Sequence, residues 1–293
     1  MSIKISEPRR DIEVKMHNGD PVPSITEEQA TGETAALYAD IRKTLGIPLV
    51  NLIWRNLATV PGALSWAWGS VKPLYESGRI QDEAVDLIET LRLPNIPRWP
   101  RSALRAVGVD SRAESAIGEV LESYDRSNPL NLVALNVLLA MLRNDAESTR
   151  TPVVTNRRPA EINITLPKLV NLDETPADTG ALVRAVNQLG ARGRDHILVS
   201  MPRHLAHWPG FLALYWAAIS PLDANGDLHR CIDSVFADGR ARGAPLARYV
   251  DRSVKPPQGS SESVEATLDD FCRNAISRMI PVVGLLKKAM PLP

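Results

Sequence analysis

The chain carries one stretch of its own sequence twice. RNLATVPGALSWAW runs from Arg55 to Trp68, and RHLAHWPGFLALYW runs from Arg203 to Trp216. Seven of the fourteen aligned positions are identical, whereas unrelated stretches of ordinary composition would share roughly one. The offset of 148 residues also relates Thr31-Gly32 to Thr179-Gly180. We therefore interpret the chain as two copies of one structural unit.

Helical periodicity fills both copies, and strand signals are nearly absent. Leu37, Ile41 and Leu45 recur at the spacing of one helix face. On either side of Asn128-Pro129 the sequence predicts two separate helices, because proline favours a helix start. The fold class is therefore all-α, with two tandem related helical repeats that form an intrachain pseudo-dimer.

Composition, proline content and the loss of helical periodicity divide the chain into four parts. Residues 1–25 are polar and predict an irregular N-terminal arm. Repeat 1 covers 26–148, a proline-containing linker with little periodicity covers 149–178, and repeat 2 covers 179–293.

Charge and composition exclude several classes of partner. The 34 Lys and Arg residues balance the 34 Asp and Glu residues, so no basic surface favours nucleic acid or anionic membranes. No apolar run reaches the length of a membrane span, and the first residues do not resemble a signal peptide. We therefore expect a cytoplasmic protein. Cys231 and Cys272 lie in apolar helical patterns without zinc spacing, which predicts buried free thiols and no metal.

Two copies packed about a pseudo-two-fold axis leave a cleft, which is a natural place for a small-molecule site. Positions that are identical in both copies are expected to serve the shared scaffold. They are Arg55/Arg203, Leu57/Leu205, Ala58/Ala206, Pro61/Pro209, Gly62/Gly210, Leu64/Leu212 and Trp68/Trp216.

Positions that differ between the copies are where an asymmetric site could arise. The second copy gains polar groups at Pro48/His196, Leu52/Ser200, Ile53/Met201, Asn56/His204 and Thr59/His207. Ser200 and His204 are i,i+4 neighbours on a helix, as a nucleophile and its base would be. The alternative is that each histidine is a surface or core-edge residue.

A second polar cluster lies in YDRSNPLN, where Asp125 and Asn128 are i,i+3 neighbours. Asn128 has two interpretations: it caps the helix that begins at Pro129, or its amide orients a water or polarises a leaving group. Asp125 is either a solvated surface acid or part of the same site.

The residues quoted so far, together with GETAALYADIRKTLGIPLVNLIW before the first copy, resemble the group I 2-haloacid dehalogenases. The resemblance runs from about residue 30 to the C-terminus and keeps the order of the motifs. It implies an all-α fold of two repeats with the active site between them, in a family that is usually dimeric, so a homodimer is among the expectations. It also implies a small carboxylic acid as substrate and chemistry without metal or organic cofactor.

In that family an Asp activates a water, an Asn helps to hold it, and the water displaces halide directly from the carbon. By the resemblance, the Asn before Pro is Asn128, and the Ser of the second-copy motif is Ser200. The catalytic Asp is replaced by Met201, which departs from the family and has no usable basicity.

The residues expected to line the active site also differ from those of the family. Leu49 and Leu52 stand where bulky aromatic residues are expected, and Asn131 stands where a Tyr is expected. Smaller walls would widen the pocket.

Loss of the general base leaves three hypotheses, because such a base contributes about 10²–10⁴-fold. The first is a dehalogenase-like hydrolase whose base has moved to His204, Asp125 or His196, with Asp195 nearby. The second is a different enzyme on the same scaffold, a lyase, isomerase or cyclase acting on a larger acid. The third is a ligand-binding protein without catalysis.

Overall fold

We describe the fold from a computed structural model, which covers residues 22–143, 164–192, 197–253 and 255–292. Within these ranges the secondary structure is helical and no strand is present, so the all-α prediction is confirmed. In the same ranges no helix is long and apolar enough to cross a membrane.

The first half contains α1 to α6, and the second half contains α7 to α12. The bounds are α1 Gly32–Leu45, α2 Leu52–Leu57, α3 Ala63–Glu76, α4 Arg79–Thr90, α5 Arg101–Ala106, α6 Ser111–Leu142, α7 Ala177–Gln188, α8 Ser200–Leu205, α9 Pro209–Ala224, α10 Asp227–Gly243, α11 Ser261–Asp270 and α12 Ser277–Ala289. Short 3₁₀ turns cover Leu172–Glu174 and Ala244–Tyr249, and a π-helical segment, Phe271–Ile276, joins α11 to α12.

Helix α6 lies at the centre of the fold. It packs against α4, α10, α11 and α12, and every side chain from Ser127 to Ala140 is buried. Its start is capped by Asp110, whose side chain accepts a hydrogen bond of 2.8 Å from the amide of Ala113. A helix that is apolar on all sides is stable only when other helices surround it.

The prediction of two helices separated at Asn128-Pro129 is wrong. Helix α6 continues through Pro129, although a proline inside a helix removes one hydrogen bond and costs about 3 kcal/mol. Burial of the following two turns of apolar side chains offsets that cost, because tertiary packing overrides local propensity. Asn128 is therefore an interior helical residue and does not cap a helix start.

Helix boundaries recur along the chain. Helices α2 and α8 both span six residues, and both α8 and α10 begin 148 residues after their counterparts α2 and α4. This recurrence supports the predicted tandem repeats. The intrachain pseudo-dimer and its boundaries at 26–148 and 179–293 stay predictions.

The ends of the predicted linker and arm fall partly outside the described residues. Within the described ranges, 22–31 and 164–171 contain no helix, and α7 begins at Ala177, two residues before the predicted boundary. The final helical region begins at Ser261. Both cysteines are buried free thiols, as expected.

Most positions shared by the two copies do serve the scaffold. Leu57, Leu64, Leu205 and Leu212 are buried. The two tryptophans behave differently: Trp68 is buried, whereas Trp216 is 46% exposed.

The shared glycines are required for two different physical reasons. Gly62 has a positive φ of 75°, and a Cβ there would make only an ordinary contact of 3.8 Å with Pro257 Cβ, so its backbone conformation is what disfavours a side chain. Gly210 has no such φ, but a Cβ there would lie 2.0 Å from the carbonyl oxygen of Val107. Gly210 therefore permits a close approach of α9 to the end of α5.

Substitution at these glycines separates the two reasons. We expect Gly62→Ala to lower the free energy of unfolding by about 1–2 kcal/mol through backbone strain, and Gly210→Ala by about 1–3 kcal/mol through overpacking. Asn tolerates a positive φ, so Gly62→Asn should recover much of the loss and Gly210→Asn should lose more. Urea denaturation followed by circular dichroism measures all four. Equal tolerance of Asn at both positions would contradict this explanation.

Candidate functional site

A small cavity lies where the beginnings of α2 and α8 meet the middle of α6. Its volume open to water-sized molecules is about 40 Å³, room for about three such groups at 10–15 Å³ each. The lining residues are Leu49, Asn51, Leu52, Ile53, Tyr124, Asn128, Asn131, Ile197, Val199, Ser200, Met201, Phe271, Ala275, Ile276 and Met279.

The two copies contribute to this cavity from the same positions. Leu49, Asn51, Leu52 and Ile53 line it from the first copy. Ile197, Val199, Ser200 and Met201, each 148 residues later, line it from the second. The cavity therefore lies between matching positions of the repeated sequence, where an asymmetric site was predicted.

Four buried polar atoms around the cavity have no hydrogen-bond partner among the described residues. They are Asn51 Oδ1, Asn128 Nδ2, Asn131 Nδ2 and Ser200 Oγ. An unpaired buried polar group costs about 1–3 kcal/mol. Four of them around one small cavity indicate a site that binds a polar ligand or water.

Other hydrogen bonds orient two of these amides. Asn131 Oδ1 accepts a hydrogen bond of 3.0 Å from Trp54 Nε1. Asn51 Nδ2 donates one of 3.1 Å to Ser127 Oγ. Each amide is thus anchored through one end, and its unpaired end is available to a ligand. The anchored arrangement offers donors from Asn128 and Asn131 and an acceptor from Asn51.

The aromatic cluster of the first copy supports this arrangement. Trp54 packs edge-on against Trp68 at 5.6 Å between ring centroids, and Trp68 Nε1 donates a hydrogen bond of 2.7 Å to Asp40 Oδ2. In the second copy Pro202 occupies the position of Trp54. The chain of contacts that holds Asn131 is therefore built by the first copy alone.

The sequence-predicted substrate-binding residues are brought together. Ser200, Met201, Leu49, Leu52 and Asn131 all line the cavity, and Met201 is fully buried. Among the described residues that line it, none is Asp, Glu, His, Lys or Arg, and Tyr124 is the one residue with a titratable side chain. Met201 therefore stands in a cavity wall that has no carboxylate.

His204 is buried beside the cavity but does not line it. Its Nδ1 lies 2.9 Å from the hydroxyl oxygen of Tyr124. Burial, and then the nearby charges of Arg203, His207 and Arg55, lower the pKa of His204 to about 3. The imidazole is therefore neutral at physiological pH.

Asp125 does not reach the cavity. It lies on another face of α6, where its carboxylate accepts a hydrogen bond from Lys287 Nζ, which also contacts Glu122. Asp125 and Asn128 are i,i+3 neighbours, which suggested a shared site. Asn128 lines the cavity, however, whereas Asp125 does not. Two other predicted alternatives, Asp195 and His196, lie outside the described residues.

A wider groove opens beside the cavity and reaches the surface. Its volume is about 370 Å³. Leu49, Tyr124 and Ser200 line both spaces. The remaining groove residues are Thr26, Glu27, Glu28, Gln29, Val50, Arg55, Lys168, Leu169, Arg203 and His204. The groove and the cavity therefore adjoin each other at Leu49, Tyr124 and Ser200.

The two shared arginines lie in this groove. Arg55 Nε donates to the carbonyl of Val50 at 3.2 Å, and Arg203 Nε donates to the carbonyl of Val170 at 2.9 Å. Both are buried. Their bonds to backbone carbonyls agree with the scaffold role that was expected, and their positive charge faces the approach to the cavity.

Sequence reasoning missed one whole wall of the cavity and two of its polar groups. The wall is Phe271, Ala275 and Ile276, from the π-helical segment that shifts the helical register, and Met279 beyond it. Such segments are frequent at functional sites, but no residue pattern announces one. Asn51 and Tyr124 were also overlooked, although Tyr124 lies one helical turn before Asn128.

The buried neutral imidazole makes stability depend on pH. The folded pKa of His204 is about 3, below its ordinary value of 6.5, so the unfolded chain binds the proton and the folded chain does not. Stability should therefore fall as the pH drops from about 6.5 towards 3, with a slope of up to about 1.4 kcal/mol per pH unit.

The measurement is the free energy of unfolding of the wild type and of His204→Asn between pH 7 and pH 4. Asn keeps a buried polar group but does not titrate, so we expect a flatter dependence for the variant. Parallel curves for the two proteins would contradict a buried neutral His204.

Proteins that are similar to this chain include 2-haloacid dehalogenases. No family model matches the chain. A 2-haloacid dehalogenase described as configuration-inverting, from Alcaligenes xylosoxydans xylosoxydans, is 27% identical over 208 residues, which cover 68% of this chain and 68% of that protein. This homology supports the resemblance to 2-haloacid dehalogenases.

Solved structures of D-2-haloacid dehalogenases have a fold similar to that of this chain. A D-2-haloacid dehalogenase mutant aligns with a TM-score of 0.76 over 92% of this chain and 96% of its own, at 16% identity. A D-2-haloacid dehalogenase in complex with L-LA aligns with the same TM-score over 92% and 97%, at 17% identity. The chain therefore has the all-α fold of these dehalogenases.

Proposed function

We propose that this chain is a 2-haloacid dehalogenase-like hydrolase that binds a small 2-halo carboxylic acid in the cavity between α2, α6 and α8. The observation that carries the proposal is the set of unpaired buried polar atoms of Asn51, Asn128, Asn131 and Ser200 around a small apolar cavity. The homologous configuration-inverting dehalogenase supports the reaction class.

The chemistry of the walls suits such a substrate. Amide donors from Asn128 and Asn131 can hold a carboxylate and a water, because both groups accept hydrogen bonds. Leu49, Leu52, Ile53 and Phe271 supply apolar surface for the halogen and the alkyl chain. Asn51 Oδ1 can accept a hydrogen bond from the water and so direct the water oxygen towards C2.

The reaction is a hydrolytic substitution. Water oxygen forms a bond to C2 as the carbon–halogen bond breaks, and halide leaves with the bonding electrons. A proton acceptor is needed because water is a poor nucleophile. The thioether of Met201 cannot serve, so in this proposal the acceptor function has moved to His204, which is adjacent to the cavity wall and neutral.

Two observations weigh against the alternatives. A lyase, isomerase or cyclase that acts on a larger acid requires an enlarged pocket, and the inner cavity measures about 40 Å³ despite Leu49 and Leu52. A ligand-binding protein without catalysis would need no proton acceptor beside the cavity, whereas His204 Nδ1 lies 2.9 Å from the hydroxyl oxygen of Tyr124, which lines the cavity.

The test is halide release from D- and L-2-chloropropionate and from D- and L-2-bromopropionate. We expect the wild type to release halide, and Asn128→Ala to lose about 10²–10³-fold in kcat because a preorganised donor is removed. Asn136→Ala is the matched control: Asn136 is also buried in α6, where it bonds to the carbonyl of Leu132, but it lies outside the cavity. It should stay within about tenfold of the wild type.

Two substitutions of Met201 separate the remaining outcomes. Met201→Leu should retain activity, because Met201 supplies no proton acceptor. A silent wild type together with an active Met201→Asp would show an intact site whose base was lost and not relocated. Silence of the wild type, Asn128→Ala and Met201→Asp would contradict dehalogenation.

A further inference from the structure

Helix α6 presents three polar side chains to the cavity along one line. Tyr124, Asn128 and Asn131 stand at i, i+4 and i+7, the spacing of one helical face, and all three line the cavity. The Tyr124 ring therefore belongs to the same wall as the amide that is proposed to hold the water. Its side chain is buried and also forms part of the groove.

The Tyr124 hydroxyl also connects the cavity to His204. The oxygen lies 2.9 Å from His204 Nδ1, and the two rings are 5.8 Å apart between centroids. His204 lines the groove and not the cavity, so it cannot touch a water in the cavity directly. A phenol has one donor and two acceptor lone pairs. With its proton directed to His204, the oxygen acts towards any other group as a hydrogen-bond acceptor.

We propose that Tyr124 is a catalytic residue that takes the proton of the attacking water and passes its own hydroxyl proton to His204. This inference rests on the proposed function and names the group through which the relocated base acts. No residue pattern in the resemblance assigns a role to Tyr124.

The step balances as follows. One O–H bond of the water breaks as its oxygen bonds to C2, and halide departs with the electron pair of the carbon–halogen bond. The released proton forms a bond to Tyr124 Oη, while the former phenol proton forms a bond to His204 Nδ1. The imidazolium then loses its Nε2 proton to solvent through the groove. Exchange of the remaining ring proton from Nδ1 to Nε2, with rotation of the Tyr124 hydroxyl back towards Nδ1, restores the starting state.

The relay requires His204 to be neutral before the step, to accept a proton during it and to release that proton afterwards. Burial and the charges of Arg203, His207 and Arg55 favour the neutral imidazole before and after the step. The same effects make His204 a weaker proton acceptor, so the imidazolium forms only transiently. A free tyrosinate does not have to form, because the phenol proton leaves Tyr124 for His204 while the water proton arrives.

Tyr124→Phe removes the hydroxyl and keeps the ring. We expect kcat for halide release to fall about 10²–10⁴-fold, with KM within about threefold of the wild type. Tyr215→Phe is the matched control, since Tyr215 is buried in α9 away from the cavity and its hydroxyl has no hydrogen-bond partner among the described residues. It should leave kcat unchanged.

Two further readouts distinguish a relay from a structural role. His204→Ala should reduce kcat, and combining it with Tyr124→Phe should reduce kcat little further, because both groups serve one transfer. In the wild type, single-turnover halide release in mixtures of H₂O and D₂O should depend on the deuterium fraction with a curvature that indicates two protons in motion. That measurement needs no substitution, so it holds even where a variant folds poorly.

The outcomes separate the two proposals. An active wild type with an equally active Tyr124→Phe, with additive losses in the double variant, or with a linear deuterium dependence overturns the relay and leaves the dehalogenase function standing. A wild type that releases no halide from any of the four substrates overturns the proposed function and the relay together.

Discussion

Burial of α6 on every side is the constraint on which the rest of the structure depends. The helices packed around it bury each side chain from Ser127 to Ala140, and that burial keeps the helix continuous through Pro129. Continuity in turn fixes the direction of three polar side chains. Had the helix broken at Pro129, Tyr124 and Asn131 would not share a face with Asn128, and the cavity would lose its polar wall.

The two copies contribute different residues to the cavity. Both supply the residues at the beginning of a short helix, but the first copy also supplies the tryptophan contacts that anchor Asn131. The second copy supplies Ser200 in place of Leu52 and His204 in place of Asn56. Most polar residues of the cavity therefore come from the first copy, as Asn51, Tyr124, Asn128 and Asn131, whereas the second copy adds Ser200 to a largely apolar wall.

Much of this could be predicted from the sequence, and the exceptions have physical causes. Helical periodicity indicated an all-α fold. The positions that differ between the copies, together with the family resemblance, indicated Ser200 and Met201 as residues of the site. Local rules placed a helix boundary at Pro129, because the compensating burial comes from helices distant in sequence. The π-helical wall at Phe271–Ile276 has no sequence signature. The i,i+4 spacing of Ser200 and His204 suggested a shared surface, whereas the two residues line a shared groove and only Ser200 reaches the cavity.

In the proposed function, Met201 stands where the family resemblance implies a carboxylate. A carboxylate at that position would have to stay ionised in a buried cavity. A neutral imidazole behind a phenol places the eventual charge beside an open groove instead. The charge would therefore form outside the apolar cavity, in a groove that is lined by Glu27 and Glu28 as well as by Arg55 and Arg203. The two arginine charges disfavour the transient imidazolium and promote its deprotonation.

The most direct test of the central claim is a crystal structure with 2-bromopropionate, located by the anomalous scattering of bromine. The account predicts a bromine peak inside the cavity against Leu49, Leu52 and Phe271, with oxygen atoms of the ligand within hydrogen-bond distance of Asn128 Nδ2 or Asn131 Nδ2. Released bromide with the product hydroxyl acid in the same cavity would agree equally well. A bromine peak confined to the groove or to the outer surface, with the four polar atoms of the cavity paired only to each other, would contradict it.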